Sequence, residues 1–153
     1  MGAYSFLDVA AALSGPGGNI DLGAGSGSSE EGLTVEMAEA KNTMTIGADG
    51  SVMHSMHAGK GGTVTFHVLK TSPVNAVLMD MYNYQSTSSA RWGQNTITIR
   101  DIARGDTITC QQCAFQQAPS QTYAKDGNTN AWAFAAGMID HQLGSGTPER
   151  QTV

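Results

Sequence analysis

Cys110-Gln-Gln-Cys113 and His54-Ser-Met-His57 are the residues whose types and spacing could do chemistry. Two thiols and two imidazoles make the donor set of a tetrahedral zinc site. Both pairs, however, sit in alternating, strand-like sequence. On an extended strand, residues i and i+3 point to opposite faces, so neither pair is expected to converge on one ion. Gln111-Gln112 offers no turn of the kind that closes a metal knuckle, and the thiols are expected to be reduced and partly buried. A redox disulfide needs a helix N-terminus in a βαβ unit, a pattern this chain lacks.

The remaining motifs fail at specific positions. Gly59-Lys60 imitates a phosphate loop, but His54 stands where the first Gly is needed and Gly61 where Ser or Thr is needed. The Gly-rich run 23–27 leads into Ser-Ser-Glu-Glu and a strand, so no helix N-terminus follows it to hold a phosphate. Asp126-Gly-Asn128-Thr-Asn130 opens like a calcium loop, yet Ala131 replaces its central Gly and Gly137 its closing Glu. No Ser lies in a nucleophile elbow. The sequence therefore predicts no enzyme, no cofactor and no metal, and a chain that serves as a building block.

The elements that carry these residues are mostly strands. Leu33–Met37 and Thr63–Val68 alternate apolar and polar residues with period two, the mark of half-buried sheet. Between them lies a long hairpin arm, 41–60, pivoting at Asp49-Gly50. Further strands are expected over 3–13, 20–22, 96–100, 107–115 and 131–138, with a turn at Gly15-Pro16-Gly17-Gly18. In the first of these, Tyr4, Phe6 and Asp8 should share one face and Ser5, Leu7 and Val9 the other. Ser72 as N-cap and Pro73 at the first position announce one helix, about 73–85, with Val74, Val77, Leu78, Met81 and Tyr82 as its apolar stripe. A flexible loop is expected at 23–29 and a weakly held tail at 144–153. The fold class is mainly β: an antiparallel sandwich or barrel with one flanking helix, forming a single domain over 1–153.

Composition excludes several partners. Only 14% of the 153 residues are charged, and the net charge is −5. Lys and Arg total 8 and form no cluster, so counterion-releasing grip on a phosphate backbone is not expected. The N-terminus has no basic region ahead of an apolar run, Phe6 occupies the Ser/Thr position of a myristoylation signal, and no stretch is long and apolar enough to span a bilayer. No membrane partner is expected.

Several blocks are together characteristic. Tyr4–Val9, Glu30–Glu39, Lys41–Gly50, His57–Val64, Leu69–Ala76, Trp92–Thr96, Cys110–Phe115 and Thr122–Gly127 resemble the tail tube proteins of contractile-tailed bacteriophages, a family similar in fold to the tube protein of type VI secretion. The match extends over nearly the whole chain. The resemblance implies hexameric rings stacked into a hollow inner tail tube, a sheath protein outside, and a tape measure protein and genomic DNA passing through the lumen without specific binding. It implies a virion protein made in the host bacterial cytoplasm.

Strand faces then nominate positions. Thr34, Glu36, Thr63, Thr65 and His67 share polar faces and are lumen candidates. Met44, Ile46, Val52, Met53 and Met56 make the arm too apolar to stand in water, so they are candidates for contact between rings. An acidic or polar lumen would repel phosphates. The alternatives are a monomeric β-sandwich module for adhesion or carbohydrate binding, a metal-dependent enzyme, or a neck or tail-terminator ring of the same fold.

Overall fold

Period-two alternation decides which residues meet. The computed structural model describes residues 3–23 and 28–144. Most of the loop expected at 23–29 and of the tail expected at 144–153 lies outside the described residues. Among the described residues, nine strands and one α-helix run in the order β1 Val9–Gly15, β2 Gly18–Asp21, β3 Ser28–Met37, β4 Asn42–Ile46, β5 Val52–Met56, β6 Gly62–Leu69, α1 Val74–Gln85, β7 Asn95–Asp101, β8 Asp106–Gln117 and β9 Thr129–Gln142. Seven strands form one antiparallel sheet, ordered β2-β1-β7-β8-β9-β6-β3, and β4 pairs with β5 alone.

The chain enters differently from the single strand expected over 3–13. Phe6–Asp8 is a 3-10 turn, capped where Ser5 Oγ accepts from the Leu7 N–H at 3.2 Å. The turn leaves Leu7 exposed, and alternation starts only at Val9, with Val9, Ala11 and Leu13 buried. The sheet curls on itself: a Cβ on Gly32 of β3, at one end of the strand order, would lie 3.4 Å from the Phe6 ring just ahead of β1, the second strand from the other end. The core fills the inside of this curl, with Val64, Phe66, Phe115, Trp132, Phe134 and Ile97 all essentially inaccessible to solvent. Phe115 packs its ring 4.6 Å from Phe134 and 6.0 Å from Trp132.

Register divides the barrel into two poles. Met37 pairs with Gly62 where the arm departs, and Asp101 with Asp106 and Val9 are on the same side. At the opposite ends of the strands lie the 15–18 turn, the links 70–73 and 86–94, and the 118–128 loop. Gly62 is required at the arm's root, because a Cβ there would collide with the Glu36 carbonyl and the Ile139 side chain.

Helix α1 crosses the inside of the curl. It starts one residue later than expected, although Pro73 already has helical dihedrals (φ −67°, ψ −15°) and Ser72 Oγ accepts from the Val74 N–H. Leu78, Met81 and Gln85 are its buried residues, while Val77, expected on the apolar stripe, is exposed. Both helix ends are pinned by polar contacts within the core. Trp132 Nε1 donates to Asn75 Oδ1 at 3.0 Å. Gln85 and Asn95, both fully buried, exchange reciprocal amide bonds at 2.8 Å. Gln85 also donates to the Pro16 carbonyl and Asn95 to that of Cys113.

The cysteines correct a geometric expectation. Gln112 adopts a left-handed conformation (φ 54°) and makes a bulge: Cys113 faces Asn95 while Cys110 faces Ile97 on β7, two residues against three. The extra residue restores both thiols to the same, core-facing side, where they are free and fully buried. An alternating pattern hides such a bulge, because Gln is not a residue that signals positive φ. His54 and His57 lie on the arm, so the four side chains with zinc-site chemistry are not brought together.

Two outcomes follow from this packing. Asn95→Ala strands the Gln85 amide in the core and should lower unfolding free energy by about 2 kcal/mol in urea titration, whereas a surface control such as Thr98→Ser should not. Burial pushes the thiols up from 9.0, Cys110 to about 11, with Asp140 adding to the shift, and Cys113 to about 12, with Cys110 adding to it. Folded-state values above the unfolded ones mean that the unfolded chain releases its protons first. This contribution to stability is fully present below pH 9 and is lost as pH rises towards 11–12. A thiol reagent at pH 8 should therefore label neither cysteine until denaturant is added.

Candidate assembly surfaces

The sheet has one face on the core and one left uncovered. On β3 and β6 the uncovered side chains are Thr34 and Glu36, directly opposite Thr65 and Thr63. Thr63, Thr65 and His67 then face Ala135, Ala133 and Ala131 on β9. All five proposed lumen residues thus fall on one continuous surface, and each is exposed or half-buried while Val64, Phe66 and Val68 alternate with them in the core. The alanines of β9 belong to the same surface and were not nominated from sequence. Their signal was present in the alternation Ala131-Trp132-Ala133-Phe134-Ala135.

This surface is small-chained, polar and weakly charged. Glu36 is its carboxylate at the arm end, and it makes no ion pair among the described residues. Asp140 is paired with Lys60 at 3.3 Å, with both side chains about half exposed, so the pair contributes little stability but cancels charge locally. Two other acids are spent structurally. Arg104, 7% exposed, reaches Asp101 at 3.0 Å and Asp8 at 3.4 Å, and lies over the Tyr4 ring at 4.8 Å. The two carboxylates more than balance the buried guanidinium, so Arg104 cancels only part of their charge.

The arm is the second surface. β4 and β5 pair from Asn42↔Met56 to Ile46↔Val52 across a turn in which Gly50 takes φ 90°. Two-stranded ribbons are marginal by themselves, and every residue of β4 and all but Ser55 of β5 are exposed. Met44, Ile46, Val52 and Met56 share one face with Asn42 and His54, and their exposure runs from 54% for Met44 to 80% for Met56. Met53 is placed on the other face, opposite Thr45, so the five proposed contact residues divide four to one. Cross-strand polar bonds stiffen the ribbon: the Asn42 amide donates to His54 Nδ1 at 3.1 Å, and Thr43 Oγ1 bonds His57 Nε2 at 2.7 Å. At the tip, Asp49 Oδ1 accepts from the Ser51 N–H at 3.0 Å, which holds its carboxyl below the usual range and keeps it ionised.

The third surface is the exposed side of α1, where Val77 and Tyr84 stand clear and Arg91 stacks on the Tyr84 ring at 4.5 Å. Among the described residues no helix is long and apolar enough to cross a membrane, and no cluster of three or more His, Cys, Asp or Glu could hold a metal.

Solved structures of similar fold come from contractile injection systems and a related prophage cap. The chain is similar in fold to a protein of an extracellular contractile injection system, solved as the PVC sheath-tube complex in the extended state, with TM-score 0.52 and 12% identity over 87% of this chain and 88% of that one. It is similar to a chain of the PVC sheath/tube terminator in the extended state, with TM-score 0.55 and 15% identity over 86% and 92% of the two chains. A third similar structure is the tube-terminating cap of the anti-feeding prophage, with TM-score 0.50 and 10% identity over 87% of each chain. No curated protein matches the sequence. Residues 1–144 match the family described as Bacteriophage PhiTE tail tube protein. An open antiparallel sheet with one bare polar face, an unsupported apolar arm and a match over nearly all of the chain make it a member of that phage tail tube family.

Proposed function

We propose that this chain is a non-enzymatic virion protein that closes into six-membered rings and stacks into the inner tube of a contractile tail. The observation that carries the reading is the arm. Four large apolar side chains stand on one face of a hairpin with no third strand beneath them. An apolar face of that size on a soluble chain is a contact surface. The arm extends from one pole of the barrel, so the contact it makes is with the next ring.

Ring closure uses the sheet edges. β3 and β2 end the strand order, and among the described residues each presents one unpaired edge, the usual template for strand addition from another chain. Edge-to-edge joining sets the bare faces of six copies side by side as a lumen lined by Thr34, Glu36, Thr63, Thr65 and His67, with the β9 alanines between them. α1 lies on the core side of the sheet, away from that lumen, and is thereby turned towards a sheath protein. The tape measure protein and then DNA pass along a wall without basic clusters, which gives phosphates nothing to adhere to. The whole chain acts as one tube domain, synthesised in the host cytoplasm and retained in the virion.

A terminator ring is the second reading, supported by the similarity to terminator and cap structures. Electron microscopy of the purified chain separates the two: long tubes for a tube protein, isolated rings for a terminator. Met44→Asp combined with Met56→Asp should leave folded rings and abolish tubes. Tubes of normal length from that double variant would remove the arm from the contact between rings.

A further inference from the structure

Methionine sulfur is a metal ligand in its own right, and the arm carries three of the chain's eight Met side chains. We propose that Met44, His54 and Met56 form a site for one soft monovalent metal ion of the copper(I) or silver(I) class. The site belongs to the single subunit, so it goes beyond the tube reading and does not depend on it.

Register is the first argument. Met44 stands directly opposite His54, and Asn42 directly opposite Met56. Side chains two apart on a strand share a face, so His54 and Met56 stand side by side with Met44 across from them. Directly opposite Cβ atoms lie about 4.5–5.5 Å apart and diagonal ones about 7–8 Å. Unbranched Met chains are flexible beyond Cβ, so both sulfurs can close over the imidazole. Two thioethers and one imidazole then surround a single ion. Met53 pairs with Thr45 on the reverse side of the ribbon and cannot join them.

Donor chemistry is the second. Thioether sulfur is soft and neutral, and it selects copper(I) over hard divalent ions. The same face offers no carboxylate and no thiolate, since its other members are Asn42, Ile46 and Val52. Zinc, calcium and magnesium find there few of the thiolate, imidazole and oxygen ligands that hold them.

The imidazole also has its orienting partner. Asn42 bonds His54 Nδ1 at 3.1 Å, and a ligating His is ordinarily fixed through its second ring nitrogen. With the ring proton on Nδ1 and the Asn42 amide turned so that Oδ1 accepts it, Nε2 is left to bind the ion. All three ligands are exposed, so the ion enters without opening the core. The competing soft donors, Cys110 and Cys113, are fully buried. A bound ion would tie β4 to β5 at the middle of a ribbon that has no third strand and whose pairing alone is marginal.

Native mass spectrometry of the full chain, in ammonium acetate with silver nitrate, counts the ions held by each copy. Equimolar silver should give one bound ion on the compact, folded charge states, and zinc acetate should give none. His54→Gln should weaken silver uptake at least about tenfold, the loss that follows removal even of an outer hydrogen-bond partner. Met44→Leu combined with Met56→Leu keeps the arm apolar and should weaken uptake as much, whereas Met53→Leu should leave it unchanged. None of these substitutions touches the core, because all four residues are exposed. Silver uptake that persists in His54→Gln or in the double Leu variant places the ion on the core thiols or on no fixed site, and overturns the proposal. So does an equal loss on Met53→Leu, or zinc uptake that matches silver.

Discussion

One antiparallel sheet that buries a single face is the constraint on which everything else depends. The seven strands are held by ladders from β2 through β3, and their inward side chains are large and apolar, while their outward ones are Thr, Ala, Gln and a few charged residues. Because side chains alternate with period two, the requirement to bury Val64, Phe66 and Val68 automatically presents Thr63, Thr65 and His67 on the other side. A slip of one residue in β6 would exchange the core for the bare face. The bare face is thus fixed by the same hydrophobic pattern that folds the protein.

Curling that sheet needs devices at its bends and ends. The Gln112 bulge shifts β8 against β7, and on the β9 side a Cβ on Gly137 would come within 3.0 Å of Gln112. The 3-10 turn at Phe6–Asp8 brings Phe6 to Gly32 and closes the curl with side chains where no ladder joins the sheet's ends. The Gln85–Asn95 amide pair then locks α1 across the opening. A buried amide costs free energy unless fully bonded. The reciprocal geometry, with the Pro16 and Cys113 carbonyls, meets that condition and ties four segments to one point.

Much of this was legible in the sequence, and the misses have physical causes. Strands with clean alternation, such as 63–68, 96–100 and 131–138, were placed within a few residues, as were the arm and its Asp49-Gly50 turn. Cys110 and Cys113 were assigned opposite faces because alternation assumes an unbroken pleat, and a non-glycine bulge leaves no local mark. The first strand was begun too early because Tyr4-Ser-Phe-Leu alternates as well as a strand does, while Ser5 bonds the Leu7 N–H and takes the backbone into a turn. Val77 was expected on the apolar stripe because helical spacing alone defines a wide arc. Tertiary packing selected the narrower set Leu78, Met81 and Gln85. A buried Gln could not be inferred without its partner Asn95, which is ten residues away in sequence.

Under the proposed tube reading, charge on the bare face bears on how a polyanion would pass. A net charge of −5 suggests an acidic wall, yet the surface formed by Thr34, Glu36, Thr63, Thr65 and His67 with the β9 alanines contains one carboxylate and neither Lys nor Arg. Adhesion of a phosphate backbone scales with the number of cations that neutralise it. Removing the cations is therefore the larger effect, and strong repulsion is unnecessary. A heavily acidic wall would also place like charges side by side around each ring and oppose its assembly. If this face lines a tube, as proposed, hydroxyls and methyls with a single Glu36 per copy would offer phosphates no cation on these strands, while acids elsewhere are engaged by Arg104 or stand at the arm's tip.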